Sequence, residues 1–390
     1  MKIYLVPFLL DFLLFLVQLR LADASGREMR LSNSQATSLL IAFNIGYLVV
    51  CPFIGRFLNA RTTKPILLCA IALIGALSVP LLSTTTFWPS LVLIGFLGAA
   101  AALAFNAFQS LVRGQTPRGG LASTIAKYTV AWSLGVSVGF LLGGVIKSLG
   151  DPTLLSVLCI FACAAVFVMI AKQPIVESNR SETSSTRSSA LRAAPPIDAR
   201  YIAIGWSLCL AANFVQRPLA AFVPKFSAQD GNAPWLAGVL LFTMLFSQAM
   251  SGLAMSRKTQ WLYQLKSLIF LQIGVIAVLG ALWMTRSFAL SIVLLACLGV
   301  LHGFSFFSAV FYVNNNARSA RNVGINETMV AVGNISGMIL CERAIALWGN
   351  ERAFYPTTIA FSVALLGFQL WWLRGAPVAE IAQPNRELAN

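Results

Sequence analysis

Apolar stretches long enough to cross a lipid bilayer recur along the whole chain, separated mostly by short polar connections. They predict twelve membrane-spanning helices in two sets of six. The first set covers residues 4–22, 34–55, 65–85, 88–111, 122–146 and 152–171, and the second covers 201–224, 234–255, 265–285, 288–313, 323–345 and 353–373. The one long connection is a segment rich in Ser, Arg and Pro, which is typical of a flexible linker.

This pattern predicts an all-α integral membrane protein built as two six-helix bundles. We expect an N-terminal bundle over 1–172, a flexible linker over 173–200, a C-terminal bundle over 201–374 and a tail over 375–390. Asp11 interrupts the first apolar run, and this favours an uncleaved first helix over a cleaved signal peptide.

Composition and charge agree with a membrane protein. Of the 390 residues, 58% are hydrophobic and 11% are charged. The formal net charge of +15 does not indicate nucleic-acid binding, because the basic residues lie in short connections and form no basic face with stacking aromatics. Alternate connections are richer in Lys and Arg, so the positive-inside rule predicts a multi-pass protein of the cytoplasmic (inner) membrane with both termini in the cytoplasm.

The two sets of helices look related. Gly135-xxx-Gly139 in the fifth span has a counterpart 198 residues later, in Gly333-xxx-Gly337 of the eleventh span. The segment 17–22 matches 215–220 at the same offset. Two matches at one offset favour a duplicated six-helix unit, which is common among transporters.

The connection after the second span resembles a motif of the major facilitator superfamily. In that family the loop has the pattern G-x-L-x-D-R-x-G-R-K, and here Gly55 and Lys64 keep its two ends. Asn59 stands in the place of the acid, Ala60 in that of the first Arg and Thr62 in that of the second Gly. The resemblance covers nearly the whole chain, since the family has six plus six helices around a central linker.

The fifth span resembles a second motif, the G-x-x-x-G-P-x-x-G-G helix of drug/proton antiporters in the same superfamily. Gly135, Gly139, Gly143 and Gly144 match its glycines, and Phe140 stands where the proline belongs. In the family the loop motif helps to latch the outward-open state and the glycine helix is associated with antiport. The replaced acid and the replaced proline are the positions at which this chain departs from both patterns.

Charged residues inside the spans are the candidates for proton coupling, because a charge in the bilayer is costly unless it is paired or hydrated. Asp11, Lys127 and Glu327 lie at similar depths in the first, fifth and eleventh spans. We expect Asp11 and Glu327 to bind a proton or cation, with Lys127 as a counter-charge. Static pairing, or snorkelling of Lys127 to the headgroups, is the alternative. His302, the only histidine, is a further candidate because its charge changes near neutral pH; a buried neutral histidine is the alternative.

Four polar residues are candidates for substrate binding. Arg217 offers a bidentate fork for a carboxylate, although snorkelling towards the headgroups is the alternative. The resemblance implies that the first, fourth, seventh and tenth spans line a central cavity, which adds Asn106, Gln109 and Asn213. Interhelical hydrogen bonding is the alternative for each of these amides.

The chain is therefore expected to be a proton-coupled secondary active transporter that moves a small organic solute by alternating access. The glycine helix favours efflux. Uptake of a nutrient such as a carboxylate is an alternative, and so is a non-transporting receptor or scaffold that kept the fold. The sequence holds no Walker A motif, no metal-ligand cluster and no nucleophile–base set, so we expect neither an enzyme nor a cofactor. The expected partners are the lipid bilayer, the solute, and protons or another coupling ion.

Overall fold

The computed structural model describes residues 2–27, 29–115, 120–149, 152–173, 199–229, 234–257, 261–315 and 319–374. Within these ranges the chain forms twelve long α-helices and no β-strand. They are α1 (Leu5–Arg27), α2 (Asn33–Ile54), α3 (Thr63–Ser83), α4 (Phe87–Gln115), α5 (Leu121–Leu149), α6 (Pro152–Ala171), α7 (Ala199–Gln229), α8 (Pro234–Met255), α9 (Leu265–Met284), α10 (Phe288–Asn314), α11 (Ser319–Trp348) and α12 (Phe354–Trp372). The twelve predicted helices are confirmed, each with ends within five residues of the expected ones.

The helices form an N-terminal bundle of α1–α6 and a C-terminal bundle of α7–α12, as the sequence predicts. Ten of the twelve described helices are long and apolar enough to cross a membrane, the other two being α1 and α7. Large apolar side chains on the outside remain exposed, among them Phe161 at 70% and Phe270 at 74%. An exterior of this kind is stable in lipid and not in water. Most of the predicted linker and the whole predicted tail lie outside the described residues.

Two pairs of helices make most of the contacts between the bundles, α5 with α8 and α2 with α11. Successive contacts between α5 and α8 pair Thr129 with Gly252, Ser133 with Gln248 and Ser137 with Phe242. Because residue numbers rise along one helix as they fall along the other, the two helices are antiparallel. The same holds for α2 and α11, where Cys51 lies by Gly324 and Asn44 by Asn334. We call the side at which α1, α5, α7 and α11 begin the N-terminal face.

Glycines of α5 allow α1 to pack closely against it. A Cβ atom at Gly135 would overlap the carbonyl oxygen of Phe8, and one at Gly139 would lie 3.3 Å from that of Phe12. The surroundings of Gly144 lie outside the described residues. At Gly143 the neighbour is the Leu19 side chain. Close packing of two apolar helices through small residues is the usual arrangement in membranes.

The same contacts recur in the second half of the chain. Gly333 and Gly337 of α11 would place a Cβ atom 2.6 Å and 2.5 Å from the carbonyl oxygens of Leu210 and Phe214 on α7. The glycines are thus related by 198 residues, but their partners on the neighbouring helix are related by 202, from Phe8 to Leu210 and from Phe12 to Phe214. The contacts therefore agree with the predicted glycine repeat of α5 and α11. The matched segments 17–22 and 215–220 align α1 with α7 at an offset of 198, whereas the contacts align these two helices at an offset of 202, four residues more.

A second interface is repeated as well. A Cβ atom at Gly98 of α4 would overlap the carbonyl oxygen of Phe43 on α2. At Gly299 of α10 it would overlap that of Met244 on α8. The two glycines are 201 residues apart in the sequence, and so are Phe43 and Met244. The packing of α2 on α4 is therefore repeated in the packing of α8 on α10.

The connection between α2 and α3 is tied to its own bundle. Gly55 ends α2, and the Asn59 side chain accepts hydrogen bonds from the backbone N–H groups of Arg61 at 2.9 Å and Thr62 at 3.0 Å. Lys64 Nζ donates to two carbonyl oxygens at the end of α6, at 2.9 Å and 2.6 Å. A lysine is favourable there because carbonyl groups at a helix C-terminus carry partial negative charge.

Candidate functional site

A cavity of about 170 Å³ lies between the two bundles. This volume is enough for several water molecules or a small solute. Residues of α1, α2, α4, α5, α7, α8, α10 and α11 border it, so both bundles contribute. Its polar lining consists of Asp11, Gln18, Asn44, Asn213, Gln216, Arg217, Asn326, Glu327 and Asn334, together with the hydroxyl-bearing Tyr47 and Tyr128.

Glu327 connects the two bundles inside this cavity. Its side chain is buried, and Oε2 accepts a hydrogen bond from the Tyr47 hydroxyl of α2 at 2.5 Å. Oε1 accepts one from Gln109 Nε2 of α4 at 2.7 Å, and the same amide contacts the Tyr128 hydroxyl at 3.2 Å. Both donors are uncharged, so the negative charge of Glu327 is stabilised by hydrogen bonds from the opposite bundle rather than by a cation.

Asp11 supplies a second carboxyl group to the same cavity. It lies on α1 at the N-terminal face, and its side chain is partly exposed to the cavity. Two carboxylates in one enclosed space repel each other, and a low dielectric strengthens this repulsion. We call Asp11 and Glu327 the carboxyl pair.

Arg217 supplies the positive charge of the cavity. Its Nη2 atom donates to Gln18 Oε1 at 2.5 Å, which links α7 to α1 across the bundle interface. The guanidinium carbon lies 5.8 Å from the centre of the Phe15 ring, a cation–π distance. Among the described residues, the buried Nε atom has no hydrogen-bond partner.

Amide side chains occupy the space between the charged groups. Asn334 Nδ2 donates to Asn44 Oδ1 at 2.8 Å, joining α11 to α2. Asn213 Nδ2 donates to the backbone carbonyl of Cys209 at 2.8 Å. The buried Oδ1 atom of Asn326 lacks a hydrogen-bond partner within the described part of the chain. These groups give the cavity both donors and acceptors.

Aromatic rings form much of the remaining wall. Phe15 and Phe140 lie 5.0 Å apart, and Trp132 and Phe306 lie 5.2 Å apart with their planes nearly perpendicular. Each pair is a favourable aromatic contact, and the second joins α5 to α10. The cavity thus combines apolar walls with a few charged and amide groups, as small-molecule sites usually do.

We compared the chain with known proteins. The model of the Major Facilitator Superfamily matches residues 4–339. The chain belongs to the major facilitator superfamily. A search of curated proteins finds no match. Since the superfamily match spans most of the chain, it shows the family without identifying a substrate.

Solved structures of the superfamily have the same fold. The chain is similar to a variant of the E. coli fucose:proton symporter FucP, with 14% identity, a TM-score of 0.63 and coverage of 95% of this chain and 99% of that one. It is similar to the human organic anion transporter MFSD10, with 14% identity, a TM-score of 0.66 and coverage of 94% and 98%. For a variant of the nucleoside transporter NupG the values are 12%, 0.64, 95% and 99%. Identities this low show a common fold and leave the solute undefined.

In this member of the superfamily, the predicted candidates fall into two groups. Asp11, Glu327, Arg217 and Asn213 all border the central cavity, and Gln109 reaches it through Glu327. The helices that line it are the expected α1, α4, α7 and α10, together with α2, α5, α8 and α11.

The other predicted candidates lie elsewhere. Lys127 is exposed on α5 and does not border the cavity, so the structure does not bring it to the two carboxyl groups. Asn106 is buried, and its Nδ2 atom donates to the Ala102 carbonyl at 2.9 Å and to Cys51 Sγ at 3.5 Å. It therefore stabilises the packing of α4 on α2, the interhelical alternative considered above.

His302 is buried in α10 and does not border the cavity. Neither ring nitrogen has a hydrogen-bond partner within the described residues. We expect His302→Gln to leave the pH profile of transport unchanged, because the ring is separate from the groups that face the solute. The measurement is the initial rate of uptake by the variant and the wild type between about pH 5.5 and 8, where a histidine would titrate. A profile that loses its acid limb in the variant would contradict this prediction.

Three residues of the candidate site were not among the sequence candidates. In the sequence, Tyr47 and Tyr128 are aromatic residues of apolar spans with no distinguishing feature. In the structure, the Tyr47 hydroxyl group contacts Glu327 and the Tyr128 hydroxyl group contacts Gln109. Gln18 was part of a repeat match, and the structure places it against Arg217. The sequence signal they share is a polar group inside an apolar span, which is also shared by many residues with purely structural roles.

Proposed function

We propose that this protein is a proton-coupled secondary active transporter that moves a small organic solute across the membrane by alternating access. The observation that carries the proposal is the bridge from Glu327 to Tyr47 and Gln109, which joins the two bundles within the cavity. A titrating group at this place links the bound proton to the relative position of the bundles. Two proteins of similar structure, a fucose:proton symporter and a nucleoside transporter, support transport as the class of function, and the first of them supports proton coupling.

Protonation of the carboxyl pair weakens the bridge. Ionised Glu327 offers two acceptor oxygens, and its bonds with Tyr47 and Gln109 are charge-assisted. A proton on the carboxyl group removes that assistance and turns one acceptor into a donor. The difference between a charged and a neutral hydrogen bond is about 1 kcal/mol, so two bonds shift the balance between conformations by roughly tenfold or more.

We propose that the solute and the proton move in the same direction, as in symport, rather than in opposite directions, as in efflux by a drug/proton antiporter. The glycine pattern that favours efflux in the sequence is accounted for by the packing of α5 on α1, and an equivalent contact joins α11 to α7. A feature that serves packing in both halves carries no information on direction. The cavity, in contrast, holds one positive and two negative side chains, and binding of an anionic solute there is favoured by simultaneous uptake of a proton.

The orientation of the chain in the membrane is also a proposal. We infer that residues 173–200 link the bundles 1–172 and 201–374, and that the linker, the tail 375–390 and both termini face the cytoplasm. The distribution of Lys and Arg among the connections supports this orientation, and it places the N-terminal face at the cytoplasmic side of the inner membrane.

The test is a solute-triggered proton flux in liposomes that contain the purified protein and an internal pH indicator. The panel comprises organic anions, organic cations, sugars and nucleosides. We expect at least one class to trigger acidification of the lumen in the wild type, and we expect Asp11→Asn to abolish it because the carboxyl pair then loses one member. The matched control is Glu342→Gln, an acid of α11 that does not border the cavity.

Two outcomes would contradict the proposal. Solute entry without proton movement would indicate facilitated diffusion or a different coupling ion. The absence of entry for every class would favour a receptor or scaffold. An unchanged flux in Asp11→Asn would remove Asp11 from the mechanism while leaving Glu327 to be tested alone.

A further inference from the structure

In the part of the chain that the structure describes, the contacts of the cavity's cation Arg217 are with uncharged groups. Arg217 donates one hydrogen bond to the Gln18 amide oxygen and lies over the face of Phe15. A guanidinium group has five N–H donors, and Nε in this one is buried without a partner among the described residues. A buried donor left without an acceptor costs about 1–3 kcal/mol, and a charge inside a membrane costs more. An anionic ligand would remove both penalties.

We propose that the transported solute is a small organic anion with a planar apolar body, whose anionic group binds Arg217 beside Gln18. This inference rests on the proposed transport function and names its substrate class. Carboxylate and sulfonate groups both fit, because each presents oxygens that a planar guanidinium can bind with two parallel hydrogen bonds. Gln18 accepts one N–H of the guanidinium, at Nη2, and so leaves the remaining N–H donors for the ligand.

The apolar body has a place next to the anionic group. Phe15 lies under the guanidinium and contacts Phe140, while Trp132 and Phe306 form the wall contributed by α5 and α10. These rings border the cavity, and an aromatic wall favours a flat apolar group that can lie against the face or edge of a ring. The volume of about 170 Å³ is below the range of roughly 300–1,000 Å³ typical of sites for drug-sized ligands, so the solute is small.

The separation of the charges argues against an α-amino acid. Asp11 and Gln18 are seven residues apart on α1, which corresponds to about 10 Å along the helix axis. The ammonium and carboxylate groups of an α-amino acid are attached to a single carbon atom and cannot span that distance. One such molecule could satisfy Arg217 or Asp11 but not both.

The charge balance of the cavity couples the anion to a proton. The titratable side chains close enough to interact electrostatically with Glu327 are Asp11 of α1, Tyr47 and Cys51 of α2, Tyr128 of α5 and Cys209 of α7. Of these, only Asp11 is an acid that is commonly ionised at neutral pH. With both carboxylates ionised, an anion at Arg217 would add a third negative charge to a single cation in a medium of low dielectric. Binding the anion therefore favours uptake of one proton by the carboxyl pair.

The experiment is calorimetric titration of the full chain in lipid nanodiscs with four probes. Benzenesulfonate is a planar anion that keeps its charge at every pH used, and benzyl alcohol is its neutral counterpart. Benzyltrimethylammonium tests for a cation site, and methanesulfonate lacks the apolar body. We expect benzenesulfonate to bind most tightly. Its affinity should rise by up to tenfold for each unit of decreasing pH, and comparison of two buffers should show uptake of about one proton per anion.

Variants locate the anion. Arg217→Gln should weaken benzenesulfonate binding about tenfold to a hundredfold, the range for a hydrogen bond to a charged group. Arg217→Lys keeps the charge and loses the fork, so we expect an intermediate affinity. Glu327→Gln should bind the anion with little dependence on pH, because a neutral amide replaces one titrating carboxyl group. Arg286→Gln, at an exposed position outside the cavity, is the control for a general loss of positive charge.

Three outcomes would overturn the proposal: equal affinity in Arg217→Gln and wild type, tighter binding of the cation than of the anion, or binding of none of the probes to the wild type. The first outcome would show that the ligand does not bind Arg217, and the second that its charge is positive. The third would show that planar organic anions are not the substrate class. The flux assay then separates the two proposals. A cation, sugar or nucleoside that triggers a flux dependent on the carboxyl pair would leave the transport function standing with a different substrate. No flux with any class would end both.

Discussion

Glu327→Gln is expected to abolish proton-driven accumulation of the solute while preserving solute exchange. Glutamine resembles the protonated glutamic acid in shape and charge, so Tyr47 and Gln109 keep a neutral partner but the bridge no longer responds to a proton. The bundles can then rock without the energetic link that drives accumulation. The measurement pairs uptake against a concentration gradient, driven by an imposed pH difference, with counterflow of labelled solute at equal pH.

Counterflow separates a loss of coupling from a loss of folding. A variant that is misfolded loses both activities, whereas an uncoupled one loses only accumulation. Glu342→Gln serves again as the matched control on α11, and we expect it to retain both activities. Accumulation by Glu327→Gln at the rate of the wild type would show that the bridge does not carry the coupling, and the proton site would have to be sought elsewhere.

Gly98→Leu and Gly299→Leu are expected to reduce the yield of folded protein severely. Any side chain at these positions meets the backbone carbonyl of Phe43 or Met244 on the facing helix, and backbone cannot move aside as a flexible side chain can. Overpacking a well-packed interface costs about 1–3 kcal/mol and sometimes more. The measurement is the fraction of monodisperse protein after detergent extraction, together with the midpoint of thermal unfolding.

The chain offers matched controls for this prediction. Gly280 on α9 and Gly367 on α12 lie in helices too, but a Cβ atom at either would have no neighbour within 4 Å. Gly280→Leu and Gly367→Leu should therefore fold as well as the wild type or better, since leucine favours a helix more than glycine does by roughly 1 kcal/mol. An equal loss of folded protein in all four variants would mean that glycine is needed at these positions for backbone conformation and not for close packing of helices.

The twelve helices could be predicted because each one coincides with a mostly apolar stretch of the sequence, and ten of the described helices are long and apolar enough to cross a membrane. Asp11, Arg217 and Glu327 could be selected for a similar reason, since a charge in such a run is costly and stands out. The sequence also indicated the duplication through Gly135 and Gly333, whose close contacts explain why glycine recurs there.

The partners of those charges could not be predicted. The bond from Tyr47 to Glu327 joins residues 280 positions apart, and that from Gln18 to Arg217 joins residues 199 apart. Such pairs depend on how one bundle rotates against the other, which periodicity within one helix does not determine. Lys127 shows the same limit, because its depth in α5 suits a counter-charge but its side chain points away from the cavity.

The loop between α2 and α3 has a consequence for the response to salt. Asn59 is exposed and bonded within its own loop, and the partly buried Lys64 is bonded to the end of α6, so neither side chain reaches the other bundle. On the proposed mechanism, closure at this face depends on the buried bridge of Glu327. Mobile ions screen exposed charges over about 10 Å at 0.1 M but screen buried groups far less. The balance between the two orientations should therefore change little with ionic strength, so that this protein would respond to the acidity of its surroundings and be nearly indifferent to their salinity.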